Sequence, residues 1–226
     1  MASKKSNEPG LPVKIYLILY NALNYFGWAY VLFLTVKSLV NTGDYTKTYD
    51  AIGKPLLVVQ SVMALEIFHS LFGLVRSPVM TTIIQVFSRL FLVWAVVDQF
   101  PFPEIREHWA YSTMAIAWAI TEVVRYAYYA LGLIGSQPGF LVWCRYTFFY
   151  ILYPLGAGSE AALIKFSLPF AKSISPLLYY GYILILFTYI PGFYTMYSHM
   201  IRQRRKYVKG GSKGATEASR KARKID

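Results

Sequence analysis

Cysteine and histidine are scarce in this chain, which has one cysteine, Cys144, and three histidines. One cysteine excludes a disulfide framework and a thiolate metal cluster, and three histidines exclude the histidine-box sites of membrane oxygenases. Cys144 lies in an apolar run, so we expect an inert thiol. Glu66 and His69 have the spacing of a di-iron Glu-x-x-His element, but that site needs a second copy. We therefore interpret these two residues as a structural or supporting pair and predict no metal and no cofactor.

Charged residues are also few. They make up 15% of the 226 residues, whereas 56% are hydrophobic and 18% are aromatic. A soluble domain of this size needs more charge to solvate its surface. The composition therefore predicts an integral membrane protein.

Six apolar segments are each long enough to cross a hydrocarbon core of about 30 Å. We therefore predict an all-α fold, an integral membrane bundle of six transmembrane helices. No internal repeat is evident, which disfavours an inverted-repeat transporter. The predicted spans are residues 15–36, 55–75, 78–97, 109–134, 140–166 and 177–201.

The ends of the chain differ sharply in charge. Residues 1–14 form a polar arm, and the apolar run that follows is too long for a cleavable signal peptide, so we expect a retained signal anchor. Residues 202–226 contain ten basic residues and two acidic ones, and so hold +8 of the net charge of +12. The positive-inside rule places this tail, and with an even number of spans both termini, in the cytosol. Because Tyr207 is its only aromatic residue, we expect no nucleic-acid partner.

The fifth predicted span contains the polar residues that are most costly to bury. Between Arg145 and Glu160 lie a proline, Pro154, and two glycines, Gly156 and Gly158. An ionisable side chain at the centre of a bilayer costs about 2.5 to 3.5 kcal/mol on insertion scales, and such groups commonly mark a pathway or a site. We therefore place the functional centre in this segment, within a catalytic domain of residues 15–201.

Tyr153 and Glu160 are seven residues apart, which in a regular helix separates them by about 10.5 Å along the axis. Pro154 and the glycines predict a bend that brings the two side chains together. A phenol that donates a proton and a desolvated carboxylate that accepts one suit the removal of a carbon-bound proton with protonation of a leaving hydroxyl. Backbone N–H groups of residues 156–159 are expected to receive charge from a carbonyl oxygen. The alternative is a proline-kinked packing element with Tyr153 at an interface.

Four arginines lie in or at the ends of the predicted spans, on four different helices and towards the predicted cytosolic face: Arg76, Arg89, Arg125 and Arg145. The acids of the spans are Glu66, Glu122 and Glu160, so a surplus of positive charge is expected. Such a surplus favours an anionic guest, and phosphate groups suit arginine. For any single arginine, pairing with a neighbouring acid remains the alternative.

Several motifs resemble one family, the very-long-chain (3R)-3-hydroxyacyl-CoA dehydratases, also called protein tyrosine phosphatase-like proteins. The resemblance covers nearly all of residues 15–202. The motifs are Tyr153-Pro154-x-Gly156-x-x-x-Glu160, Glu122-x-x-Arg125-Tyr126, Leu74-Val75-Arg76-Ser77-Pro78 and Ser88-Arg89.

The resemblance implies a multi-pass enzyme of the endoplasmic reticulum membrane that performs the third step of fatty-acid elongation. It implies that Tyr153 and Glu160 are the catalytic pair and that Arg89, Arg125, Arg145 and Gly156 support activity. The implied partners are 3-hydroxyacyl-CoA, membrane lipid and the other elongation enzymes: the condensing enzyme, the ketoacyl-CoA reductase and the enoyl-CoA reductase.

Two further expectations concern phosphatase activity, which one name of this family suggests, and a retrieval signal at the end of the chain. Phosphatase chemistry is not expected, because Tyr150 stands where a phosphatase would have an arginine six residues after Cys144. The closing Arg223-Lys224-Ile225-Asp226 loosely resembles a di-basic retrieval signal of the endoplasmic reticulum.

Two alternative functions remain. One is a transporter or lipid carrier that uses the intramembrane acids, and the other is a non-catalytic scaffold of the elongation enzymes.

Overall fold

A computed structural model describes the backbone of residues 10–222 and the side chains of residues 10–205. All regular secondary structure in the described residues is helical, which confirms the all-α prediction. The proposed retrieval signal at residues 223–226 lies outside the described residues. The helices are α1 (Leu11–Thr42), α2 (Thr48–Val62), α3 (Leu65–Leu71), α4 (Val79–Leu90), α5 (Pro103–Arg106), α6 (Trp109–Ile134), α7 (Gly139–Thr147), α8 (Phe149–Ile174) and α9 (Pro176–Ala222).

Four helical stretches in the described part of the chain are long and apolar enough to cross a membrane. They are Leu11–Thr42, Tyr45–Leu71, Val79–Asp98 and Pro176–Arg205. Their outward faces are apolar: Leu23, Phe26 and Phe187 are 72%, 68% and 66% exposed. A soluble protein rarely exposes so much contiguous apolar surface, so this surface fits contact with lipid.

Glycines in the left-handed conformation end two of the long helices. Gly43 (φ 63°) follows α1 and Gly135 (φ 87°) follows α6, a conformation that other residues adopt only at a steric cost. Helix α6 begins where the His108 side chain accepts a hydrogen bond from the Ala110 N–H at 3.1 Å. This helix has the bounds predicted for the fourth span.

In the connection after α1, hydrogen bonds from the Thr46 side chain and backbone hold the pKa of Asp44 below its ordinary value.

Three of the predicted spans are interrupted or change helix type. A turn at residues 63–64 divides the second span into α2 and α3, and α4 continues as a π-helical segment, Phe91–Asp98. In that segment the carbonyl of Ala95 accepts a hydrogen bond from the Tyr182 hydroxyl of α9. The fifth span is interrupted at Phe148, between α7 and α8, and not at Pro154, which lies inside α8.

Helix α8 continues through Pro154, so the bend that the sequence predicts there involves no break in the helix. Proline removes only one backbone hydrogen bond, and neighbouring helices allow membrane helices to tolerate that loss. Helix α8 packs between α6 and α9, while α1 and α2 cover the other side of α6. Helix α6 is therefore central, and its buried side chains include Tyr111, Met114 and Trp118.

Candidate active site

The Glu160 carboxylate lies where three helices meet. Its Oε1 accepts a hydrogen bond from Trp118 Nε1 of α6 at 2.8 Å. Its Oε2 accepts one from the Tyr189 hydroxyl of α9 at 3.0 Å. Both donors are uncharged, and within the described residues Glu160 forms no salt bridge. The carboxylate is thus held by neutral groups in an apolar bundle, which is an environment that suits a general base.

Tyr153 is half-buried between α8 and α9. Its ring stacks on Phe193 and Tyr197 of α9, with ring centroids 5.3 Å and 6.2 Å apart. Among the described contacts there is no hydrogen bond between Tyr153 and Glu160. The two side chains therefore make no direct hydrogen bond, and their convergence on one substrate group stays a prediction.

Gly156 lies between Tyr153 and Glu160 on α8 and faces α6. A Cβ atom at this position would lie 3.7 Å from Ala117 Cβ, 3.8 Å from Trp118 Cδ1 and 3.9 Å from Glu160 Oε1. These are ordinary van der Waals distances. The missing side chain therefore leaves space beside the carboxylate, which is a different role from the helix bend that the sequence predicted.

The backbone around Gly156 does not provide the expected carbonyl-binding groups. Residues 156–159 lie inside α8, where backbone N–H groups bond to carbonyls four residues earlier. This corrects the expectation that these N–H groups are available to a substrate. Instead, Ser159 links α8 to α6, since its Oγ lies 2.6 Å from Thr113 Oγ1.

Gly156→Ala is expected to leave the fold intact and to lower activity. The added methyl group meets no clash, and alanine stabilises a helix by about 0.5–1 kcal/mol relative to glycine, so the unfolding temperature should not fall. The same methyl group occupies space beside Glu160, and one methyl group in a binding pocket changes kcat/KM by about 10-fold or more. The control is Gly158→Ala, where the new Cβ would meet nothing within 4 Å apart from its chain neighbours and the backbone of its own helix. Full activity of Gly156→Ala would contradict this role.

A network of four buried or half-buried charges lies next to Glu160. Arg125 binds both Glu66 carboxylate oxygens, at 2.9 Å and 2.8 Å, and its Nε lies 2.5 Å from Glu122 Oε2. The other oxygen of Glu122 is 2.7 Å from Arg89 Nη1, and Glu122 is only 2% exposed. Tyr126 completes the network by donating to Glu66 at 2.6 Å.

This network revises the predicted surplus of positive charge. Arg89 and Arg125 are balanced by Glu122 and Glu66, so neither presents an uncompensated charge to an anion. The sequence left the pairing of Glu122 with Arg125 open, because they are three residues apart on α6, but spacing could not show their partners on α3 and α4. Among the described contacts, Glu66 forms no hydrogen bond or salt bridge with His69, whose Nε2 is 2.8 Å from the Tyr16 hydroxyl.

Arg145 has a different environment from Arg89 and Arg125. Its guanidinium lies over the rings of Tyr128 and Tyr129, at 4.9 Å and 4.8 Å, and donates to the Tyr129 hydroxyl at 2.9 Å. Within the described residues Arg145 has no carboxylate partner. Arg76 is exposed in the connection between α3 and α4. The structure therefore separates the four predicted arginines into an inner pair and two outer residues.

Trp118 and Tyr189 are site residues that the motifs did not reveal. Trp118 precedes Glu122 by four residues and so lies on the same face of α6, which is a signal that could have pointed to it. Its ring also lies 4.7 Å from the Arg89 guanidinium. Tyr189 belongs to no motif, and only the packing of α9 against α8 brings it to Glu160.

Comparison with known proteins agrees with the motifs. A family model described as "Protein tyrosine phosphatase-like protein, PTPLA" matches residues 60–210. The chain belongs to this family. No solved structure matches the chain.

Curated relatives of the family extend over most of the chain. A relative from Arabidopsis thaliana, very-long-chain (3R)-3-hydroxyacyl-CoA dehydratase PASTICCINO 2, is 41% identical over 85% of this chain and 92% of its own. A probable very-long-chain (3R)-3-hydroxyacyl-CoA dehydratase from Schizosaccharomyces pombe is 45% identical over 86% and 93%. The human very-long-chain (3R)-3-hydroxyacyl-CoA dehydratase 2 is 38% identical over 85% and 80%. By these names the relatives are hydro-lyases, so the predicted family is confirmed.

Proposed function

We propose that this chain dehydrates (3R)-3-hydroxyacyl-CoA to trans-2-enoyl-CoA, with Glu160 and Tyr153 as the acid-base pair. The observation that supports this most directly is the Glu160 carboxylate, held by Trp118 and Tyr189 inside an apolar bundle. Dehydration needs a base at C2, a proton donor at the C3 hydroxyl and an apolar path for the acyl chain. The named activity of the relatives matches these requirements.

The reaction needs only one proton donor and one base. Glu160 takes the proton from C2, and the electron pair of that C–H bond forms the C2=C3 double bond. The C3–O bond breaks as Tyr153 gives its phenolic proton to the departing hydroxyl, which leaves as water. The proton on Glu160 then returns to the Tyr153 phenolate, and the enzyme is ready for another substrate.

The separation of Tyr153 and Glu160 is compatible with this reaction. In a continuous helix their Cα atoms are about 10.5 Å apart along the axis, and side chains lean towards the helix N-terminus. Glu160 therefore leans towards Tyr153. The methyl-sized space left by Gly156 lies between the two residues and beside Glu160 Oε1, and C2 of the substrate is proposed to approach the carboxylate from this side.

The four arginines are proposed to have two different roles, which follow from their different contacts. Arg89 and Arg125 support the site through Glu122 and Glu66, and do not bind CoA directly. Arg145, which forms no salt bridge among the described residues, is proposed to bind CoA phosphates, and the exposed Arg76 is proposed as a second phosphate contact. Arginine suits this role because its guanidinium binds phosphate through paired N–H groups.

The proposed topology has six spans and two cytosolic termini. Helices α6 and α8, of 26 residues each, would cross the membrane beside the four more apolar stretches. Their polar residues face neighbouring helices at the site. We place the protein in the endoplasmic reticulum, where it would perform the third step of the elongation cycle beside the condensing enzyme, the ketoacyl-CoA reductase and the enoyl-CoA reductase.

An assay of the purified protein tests this function. In detergent or sealed vesicles, 3-hydroxyacyl-CoAs of graded chain length are expected to lose water and yield trans-2-enoyl-CoA, detected by mass spectrometry. A boiled sample and an unrelated membrane protein prepared in parallel serve as controls. Uptake of acyl-CoA into the vesicles without any enoyl product would favour the carrier alternative, and the absence of both would favour the scaffold.

A further inference from the structure

Both oxygens of the Glu160 carboxylate are held, and each by a different helix. Trp118 comes from α6 and Tyr189 from α9, with donor-acceptor distances of 2.8 Å and 3.0 Å. The terminal torsion of a glutamate is otherwise broadly distributed. Two donors on opposite oxygens restrict this torsion, so the plane of the carboxylate is fixed relative to α6 and α9.

The two hydrogen bonds leave the carboxylate able to act on a substrate. Each carboxylate oxygen has two lone-pair directions, and one donor on each oxygen leaves one direction open. The methyl-sized space at Gly156 lies 3.9 Å from Oε1, measured from a Cβ built there. A substrate carbon in that space can therefore approach an oxygen whose orientation is already set.

Because both donors to Glu160 are uncharged, they leave the carboxylate a stronger base than charged donors would. A cationic donor would stabilise the ionised carboxylate more strongly than a neutral one and so make it a weaker base. A nearby cation, Arg89, instead forms its salt bridge with Glu122, at 2.7 Å, and lies over the ring of Trp118. Among the described contacts, Arg89 therefore forms its salt bridge with Glu122 and not with Glu160.

One face of α9 contacts both members of the proposed pair. Tyr189, Phe193 and Tyr197 are spaced by four residues and so lie on the same side of the helix. Tyr189 binds Glu160, while Phe193 and Tyr197 stack on Tyr153. The position of α9 therefore affects the positions of both the proposed base, Glu160, and the proposed acid, Tyr153.

We propose that Tyr189 is a positioning residue, which together with Trp118 fixes the Glu160 carboxylate for removal of the C2 proton. Tyr189 does not itself exchange a proton with the substrate. The inference rests on the dehydratase function proposed above, and it adds a residue outside the motifs to the site.

Tyr189→Phe tests this role because it removes only the hydroxyl group. We expect kcat to fall about 10- to 100-fold, because small errors in placement are costly in catalysis, and KM to change less than about threefold. The acid limb of the pH–rate profile should move up by about one pH unit, since the carboxylate loses a donor that favours its ionised form. Trp118→Phe is expected to produce the same two changes.

Matched controls separate positioning from folding. Tyr194→Phe on α9, at a position 75% exposed, and Trp109→Phe on α6, at a position 48% exposed, should leave kcat and the pH profile unchanged. If Tyr189→Phe keeps the wild-type kcat and pH profile, the inference is wrong. It is also wrong if activity falls only in proportion to the loss of folded protein. Wild-type activity of Glu160→Gln would instead overturn the proposed function itself.

Discussion

Glu160→Gln and Tyr153→Phe are each expected to lower the dehydration rate by about 100- to 10,000-fold, the range in which a general base or acid contributes. The amide of glutamine cannot accept the C2 proton, and phenylalanine cannot donate one to the leaving hydroxyl. Both changes nearly preserve side-chain shape, so the contacts with Trp118 and with Phe193 should remain. The measurement is kcat for a long-chain 3-hydroxyacyl-CoA with purified, folded protein.

The controls for this pair use the same chemical changes at exposed positions. Glu104→Gln, in α5, and Tyr180→Phe, at a position 65% exposed, should retain wild-type rates. If the Glu160 and Tyr153 variants are folded and still dehydrate the substrate at the wild-type rate, the proposed acid-base pair is incorrect. Loss of activity in only one of them would assign the reaction to that residue and a different partner.

Glu122→Gln is expected to cause the largest loss of stability, about 3–5 kcal/mol, because it breaks a buried ion pair and leaves a cation without its partner. Glu122 joins Arg89 to Arg125 at 2.7 Å and 2.5 Å and is 2% exposed. Arg125 keeps Glu66, so the uncompensated charge falls mainly on Arg89. The measurement is the free energy or midpoint of unfolding in detergent.

Two comparisons make this stability prediction specific. Asp98→Asn removes a looser contact, 3.9 Å from Arg106 with the Asp98 side chain 45% exposed, and should cost less than about 1 kcal/mol. The double variant Arg89→Gln with Glu122→Gln removes both charges and should recover part of the loss. A cost for Glu122→Gln no larger than that for Asp98→Asn would mean that the network does not stabilise the bundle.

Local sequence patterns were sufficient for much of the fold. The low charge and the long apolar runs predicted a helical membrane protein. Helix α6 has the bounds predicted for the fourth span, because Gly135 follows its last residue and a turn with two prolines precedes Trp109. The interruption at Phe148, in contrast, had no signal in the sequence, and the helix continues through Pro154. A proline penalty is local, whereas the packing of α8 between α6 and α9 that offsets it involves residues far away in the chain.

The sequence by itself determined the family and the residues proposed as the acid-base pair, since both follow from motifs within single segments. Only the tertiary structure decided what surrounds them: that Glu122 and Glu66 neutralise Arg89 and Arg125, and that Trp118 and Tyr189 hold Glu160. The physical reason is that residue spacing sets which side chains share a face of one helix. Which face of another helix lies opposite depends on how the whole bundle packs.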